Sequence, residues 1–540
     1  MSLSLSLSLL LAALSFSLSG CSSSSGSDGD NSNPNVDCRS NGHNFNGIPG
    51  VIEKVNFTGQ TATINLNSLN ANDVYLVKVN KSACVAKAND TGGLNANDTG
   101  GLLSATVFDD SQALQAQDTF ESQSSFLPMD HIGAMEFNAN PPPITEEMRQ
   151  NRDRLISFAP FAAPSVNDKR NFWVEEVFNG GSFVQKEATL LATGTYSNIW
   201  VIDNSITTPQ AQALATKFDV IYPIETKLLG YEYGGGTNGD GGRDGDPKIQ
   251  ILVYDINNGN GNVAGFFWGK DFYNDSESKK WSPPLRSNKA EIFYLDAGYI
   301  QHSLEFMYST LIHEFQHMIN FNEKFVKRDK NSATWYNEAL SMMAEDVVDP
   351  LIGVNDYHPI KVRIPTFLTF YDQVGVTEWD NLDSGASYAK GYAFGAYLMR
   401  NFGGAQLLKD ILANDETNEK SITAALDKFE AGLTFEKALA RYGEALVFSG
   451  TKKPSGVLSF DNTVNKTIDG TTYTATGFDI WNISSGGVIG PKVFDLSPRE
   501  MRPHSVRLHS LSAWKNKSGS LSITLEKPAN DDVELYIMVR

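Results

Sequence analysis

Two histidines four positions apart, His313 and His317, with Glu314 directly after the first, are the residues of this chain best placed to do chemistry. On an α-helix, positions i and i+4 share a face, so both imidazoles can take one metal ion. The apolar Leu311, Ile312, Phe315, Met318 and Ile319 would pack around them. Glu314 can then face a water polarised by that ion and take its proton as the water attacks a carbonyl. A catalytic zinc usually has three protein ligands and keeps a fourth position open. Glu338, in Trp335-Tyr336-Asn337-Glu338-Ala339-Leu340-Ser341, is the third candidate. Either string alone also reads as an ordinary helix segment; their combination points to zinc-dependent hydrolysis.

These residues need a scaffold, and the stretch 171–450 supplies one, because strand and helix patterns alternate along it. Strands are expected at 197–202, 248–254 and 291–295, and a helix at 209–229. On either side the patterning is β: short alternating runs in 38–108 and again in 451–540 predict two sandwich-like modules. The fold class expected is therefore α+β, a catalytic domain flanked by N-terminal and C-terminal all-β modules. Residues 109–170, rich in Ser, Gln and Pro, read as a linker or propeptide-like segment, extended rather than packed. A tandem octet, 88–95 and 96–103, reads as a duplicated surface loop.

His313-Glu-x-x-His317 followed by Asn337-Glu338-x-x-Ser341 resembles the arrangement of gluzincins, the thermolysin-like clan. The longer strings around both motifs resemble the hyicolysin-type neutral metallopeptidases, over roughly 172–448. That resemblance implies a zincin-type catalytic domain with one catalytic zinc, in a secreted or surface-anchored endopeptidase acting on proteins or peptides. It also implies a rim strand before the zinc helix, paired with extended substrate. Residues 288–296 fit that role, or that of an ordinary sheet strand. The clan places Asp right after the serine to orient a ligand histidine, whereas this chain has Met342; Glu345, Asp346 and Asn320 are the candidate replacements. Tyr388-Ala-Lys-Gly391 resembles an element of zinc aminopeptidases whose tyrosine stabilises the oxyanion, which makes Tyr388 the first choice for that task. His358 is the second, since thermolysin-like enzymes use a histidine there. Gly133-Ala-Met-Glu136-Phe137 is similar to the exopeptidase string Gly-Ala-Met-Glu-Asn, but the fifth residue differs and the segment lies far ahead of the zinc helix. It is read as part of the linker, and endopeptidase is preferred to aminopeptidase.

A formal charge of -19 over 540 residues argues against nucleic acid as a partner. Residues 1–20 read as a signal peptide whose apolar core, 9–18, is too short to span a bilayer. It ends in Leu18-Ser19-Gly20-Cys21, which resembles the bacterial lipobox and implies a lipid on Cys21. A basic start is missing, the first cation being Arg39. Residues 21–37 then form a flexible tether, and the protein is expected outside the cytoplasm, anchored to a membrane or at the cell surface. Cys38 and Cys84 remain as an even pair suited to a disulfide, with two free thiols as the alternative. Asp240, Asp244 and Asp246 on a glycine-rich loop suit calcium, or a solvated acidic turn. Two other functions compete: a surface-binding, adhesin-like lipoprotein with a vestigial zinc site, and hydrolysis of a non-peptide ester or amide. Nothing in the sequence fixes the oligomeric state.

Overall fold

The computed structural model describes residues 43–46, 49–70, 72–94, 131–148, 162–236, 242–256, 263–381, 384–451, 456–495, 499–510 and 518–540. The expectations for the signal peptide, the tether, Cys21, Cys38, Asp240 and the second octet lie outside the described residues.

The first strands are β1 (His43–Asn46), β2 (Ile52–Lys54), β3 (Thr61–Asn70), β4 (Val74–Asn80) and β5 (Gly93–Leu94). Next comes helix α1 (Ile132–Ala139), inside the stretch expected to be extended. Its Ala134 and Met135 are buried, as are Ile144 and Met148 after it, so this part of 109–170 is packed. Apolar side chains docked on a larger body override the loop-like composition.

A six-stranded sheet follows, built from β6 (Lys169–Glu175), β7 (Phe183–Thr193), β8 (Ser197–Ile202), β9 (Ile249–Tyr254), β10 (Gly265–Phe267) and β11 (Ile292–Asp296). Its strand order is β10-β11-β9-β8-β7-β6. Strands β8, β9 and β11 run parallel, while β10 lies antiparallel to β11. All residues of β8, β9 and β11 are buried, as expected where helices or loops cover both faces of a parallel sheet. Strand β11, the candidate rim, is therefore interior, and the edge belongs to β10. Three residues are too few to show an alternating pattern, which is why β10 escapes a reading from sequence.

The crossover from β8 to β9 is helix α2 (Thr208–Leu229), started by a reciprocal cap between Thr207 and Gln210 with Pro209 in its first turn. Helix α3 (Leu304–Asn320) carries both histidines and opens on Ser303, whose Oγ accepts from the Phe306 amide at 3.2 Å. Helix α4 (Thr334–Ile352) carries Glu338 and ends at Gly353, whose φ of 80° lies in the left-handed region. Helices α5 (Ile364–Phe370), α6 (Ser384–Asn401), α7 (Ala405–Ala413), α8 (Asn418–Leu426) and α9 (Phe435–Phe448) complete the helical layer. Two hairpins, β12 (Val464–Ile468) with β13 (Thr471–Ala475) and β14 (Ser484–Ser485) with β15 (Val488–Ile489), follow. Phe460, Tyr473 and Ile480 of this stretch join the main core, alongside residues of α3, α4 and α6.

The last strands, β16 (Ser505–Ser510), β17 (Ser518–Glu526) and β18 (Val533–Val539), pair with the first ones. One sheet runs β1-β3-β17-β5 and the other β16-β4-β18-β2. In place of two separate β modules, strands from both ends share sheets and a small core that includes Ile64, Leu66, Leu76, Leu525 and Ile537. Alternation along β4 shows how this body is attached. Val74 and Leu76 face the small core, while Tyr75, Val77 and Val79 join the main one. Gly443 of α9 allows the approach, since a Cβ there would meet Val77 at 2.6 Å. The result is a mixed α and β architecture with several sheets. Among the described residues no helix is long and apolar enough to cross a membrane.

Candidate metal centre

The four-residue spacing on α3 brings the two imidazoles together, with ring centroids 4.7 Å apart. Glu338 reaches them from α4: His313 Nε2 lies 3.1 Å from one carboxylate oxygen and His317 Nε2 lies 3.4 Å from the other. One ligand atom from each of the three residues falls within 4.8 Å of the others, and all three residues are buried. Among the described residues no other group of His, Cys, Asp or Glu side chains has this spacing. Two imidazole nitrogens and one carboxylate match the donor set of an open catalytic zinc site. Burial opposes the charge on Glu338, but the imidazoles of His317 and His313 outweigh it and hold the carboxyl well below its usual range. Burial lowers the pKa of His317, and the carboxylates of Glu338 and Glu314 together raise it by more.

The histidines are oriented from α4 as well. His313 Nδ1 pairs with Glu345 at 2.5 Å, which fixes the ring so that Nε2 faces Glu338. Ser341 Oγ lies 3.1 Å from His317 Nδ1 and itself donates to Gln316 Oε1. Of the three candidate replacements for the missing Asp, Glu345 is thus the one at a ligand. Asp346 instead pairs with Arg400, at 2.7 and 3.0 Å, and Asn320 Nδ2 donates to Asn337 at 2.8 Å. Glu345→Gln is expected to weaken zinc binding by about 10- to 100-fold, read by competition with a chromophoric chelator. An unchanged affinity would remove Glu345 from this role.

Glu314 is buried and lines one cavity together with His317, Glu338 and Asn337. Tyr388, on α6, sits beside the ligands, its ring centroid 6.3 Å from that of His313. Trp379 packs edge-on against Tyr388 at 4.8 Å, and the Arg363 guanidinium carbon lies 4.6 Å from the Tyr388 ring centroid. Arg363 Nε and Nη1 and Trp379 Nε1 are buried donors with no hydrogen-bond partner among the described residues. Donors alone, next to the site, suit carbonyl or carboxylate oxygens. Sequence reading missed both residues, since no local pattern marks an arginine that matters through tertiary placement. His358 is held differently: its Nε2 donates to the Asp346 carbonyl at 3.0 Å and its Nδ1 accepts from the Ile360 amide at 3.2 Å.

Among the described residues of the acidic loop, both carboxylates are engaged by donors of the protein. Asp244 accepts from Arg170 at 3.0 Å, and Asp246 accepts from Asn198 at 2.7 Å and Gln250 at 3.1 Å. These carboxylates hold the turn that leads into β9, and calcium has no support. Cys84 is exposed.

The far wall of the metal cavity comes from Ala134, Met135, Asn138 and Ala139 of α1, with Phe266 and Phe267 of β10, and Ser332 and Thr334 complete the lining. The segment containing Gly133–Phe137 is therefore at the site and not in a remote linker. Its Glu136 is exposed and is not among the cavity residues.

Two imidazoles and a carboxylate within reach of one ion, with a second acid in the adjoining cavity, are the donor set of a metallohydrolase. The chain belongs to the peptidase M30 family, whose sequence profile matches residues 164–466. It is 29% identical over 303 residues to the neutral metalloprotease ShpI of Staphylococcus hyicus, an alignment covering 53% of this chain and 62% of that protein. The chain thus matches about three fifths of that relative's length. The resemblance to hyicolysin-type peptidases carried by the two helix motifs is borne out.

Proposed function

We propose that the protein is a zinc endopeptidase acting outside the cytoplasm, and that His313, His317 and Glu338 hold the metal. The observation that carries this reading is the convergence of those three buried side chains within reach of one ion, with Glu314 lining the cavity that His317 and Glu338 also line. Zinc bound there would supply Lewis acidity, bringing the pKa of a water toward neutrality and polarising the scissile carbonyl. Glu314 takes the proton of the attacking water and returns it to the leaving amine. The Tyr388 hydroxyl donates to the oxygen that becomes negative as the carbonyl carbon turns tetrahedral. Arg363 and Trp379 offer their free donors to carbonyl oxygens of the peptide, and the edge of β10 offers backbone pairing to an extended chain. Family membership and the metalloprotease relative support the peptidase class. The Leu18–Cys21 string supports a lipid anchor at Cys21.

Stripping the metal with a chelator is expected to abolish cleavage of casein, and adding zinc back to restore it. Peptides blocked at both ends separate the endopeptidase from an aminopeptidase, which needs a free amine. Exposed Glu136 favours the former, because an amine-binding acid has to reach the cavity. Activity confined to unblocked peptides would overturn the endopeptidase reading, and activity indifferent to metal would overturn the zinc reading.

A further inference from the structure

The metal ligands, Glu314, Tyr388 and β10 all fall inside the family-matched stretch 164–466, whereas α1 and the residues up to Met148 lie before it. The family's own region thus contains a complete donor set, and α1 closes one side of its cavity from outside. What α1 contributes to that cavity is two alanines, a methionine and an asparagine. None of these can transfer a proton or hold zinc at neutral pH. The contribution is volume and hydrogen bonding.

The hydrogen bonding is specific. Asn138 Nδ2 donates to the Phe267 carbonyl at 2.8 Å, and Asn138 Oδ1 accepts from the Gly269 amide at 2.8 Å. One donor and one acceptor, presented together to the last residue of an edge strand and to the turn that follows it, imitate what a residue of an extended peptide offers when it adds to a sheet. β10 is the edge beside the metal cavity, and its other side is already paired with β11. A peptide lying along β10 and the Asn138 amide compete for the Phe267 carbonyl.

Anchors at both ends hold the segment there. His131, buried, lies 2.5 Å from Glu175, with its ring 4.7 Å from that of Trp268. Beyond α1, the Tyr273 hydroxyl donates to the Pro142 carbonyl, and Glu147 accepts from Asn274 at 2.8 Å and faces Arg243 at 3.6 Å.

We propose that residues 131–148 are an internal occupant of the substrate cleft, a cap that keeps extended peptides off the β10 edge until it is displaced. This rests on the endopeptidase reading above, so its test reads binding and not turnover. In a zinc-loaded Glu314→Gln background, the affinity for an end-blocked, fluorescein-labelled casein peptide would be followed by anisotropy. Adding Asn138→Ala is expected to tighten it roughly five- to tenfold, the effect of losing the two hydrogen bonds of Asn138. Glu147→Lys, which touches only the far anchor, is expected to shift it the same way. Acetohydroxamate, too small to reach β10, should bind all three proteins equally. Casein-peptide affinity that is unchanged or weaker in both variants would overturn the cap and make α1 a wall that substrate uses. Failure of acetohydroxamate to bind any of them would sink the zinc reading itself, and metal content with melting temperature would expose a variant that had simply misfolded.

Discussion

Glu314→Gln is expected to lower kcat/KM on an end-blocked peptide by about 10³-fold, while zinc content and melting temperature stay at the parent's values. The amide has the shape of the carboxylate, so the buried position keeps its packing. Glu314 is not one of the three ligands, so metal affinity has no reason to fall. Only the ability to accept a proton is lost. The drop should therefore be in kcat, because the proton moves in the transition state and not on binding. Stopped assays on casein, with zinc measured in the same samples, check this. Equal proteolysis by both proteins would remove Glu314 from the chemistry. A parallel loss of zinc would show instead that Glu314 supports the ligands. The surface-binding alternative, with its vestigial site, predicts no turnover in either protein.

The four residues of that mechanism were legible because their relations are local. His313, Glu314 and His317 sit within two turns of one helix, and Glu338 announces itself on the next. The partner of His313 was legible only as a choice of three. The 3.6-residue period resolves it once α4 is known to face α3 through Glu338. Ser341 and Glu345, three and seven residues on, return to that face, whereas Asp346 is rotated about 100° further and meets Arg400. Met342, where the clan pattern expects Asp, is buried in the main core. Pairing between distant segments was not legible at all. Strand patterns mark 61–66 and 520–525 as strands, but not that Ile64 pairs with Ile523. The same holds for α1, which gains its helix through docking: Asn138 finds the β10 backbone, and the burial of Met135 fixes the face.

Arg400→Met is expected to destabilise the protein by about 3–5 kcal/mol. Both charges of the Arg400–Asp346 pair are inaccessible to solvent, and the guanidinium is fully engaged. It grips the carboxylate at 2.7 and 3.0 Å and donates Nε to the Thr476 carbonyl at 2.9 Å. Burial works against the Arg400 charge, and Asp346 outweighs it, holding the guanidinium pKa above its ordinary value. Removing the cation leaves Asp346 buried with His358, 3.4 Å away, as the nearest remaining counter-charge. That histidine would have to be protonated to serve. Removing both charges is a different matter, since the cost of desolvating the carboxylate disappears with it. Asp346→Leu combined with Arg400→Met should therefore be more stable than Arg400→Met alone by about 2 kcal/mol or more, a non-additivity readable in chemical denaturation. The pair also bolts α4, which carries Glu338 and Glu345, to α6, which carries Tyr388. If that bolt sets the spacing of ligand and oxyanion donor, the double variant will recover stability without recovering full kcat. A double variant no more stable than Arg400→Met would show that the buried charge is not what the pair neutralises, and that the Thr476 and Ala396 carbonyls bonded by Arg400 carry the effect.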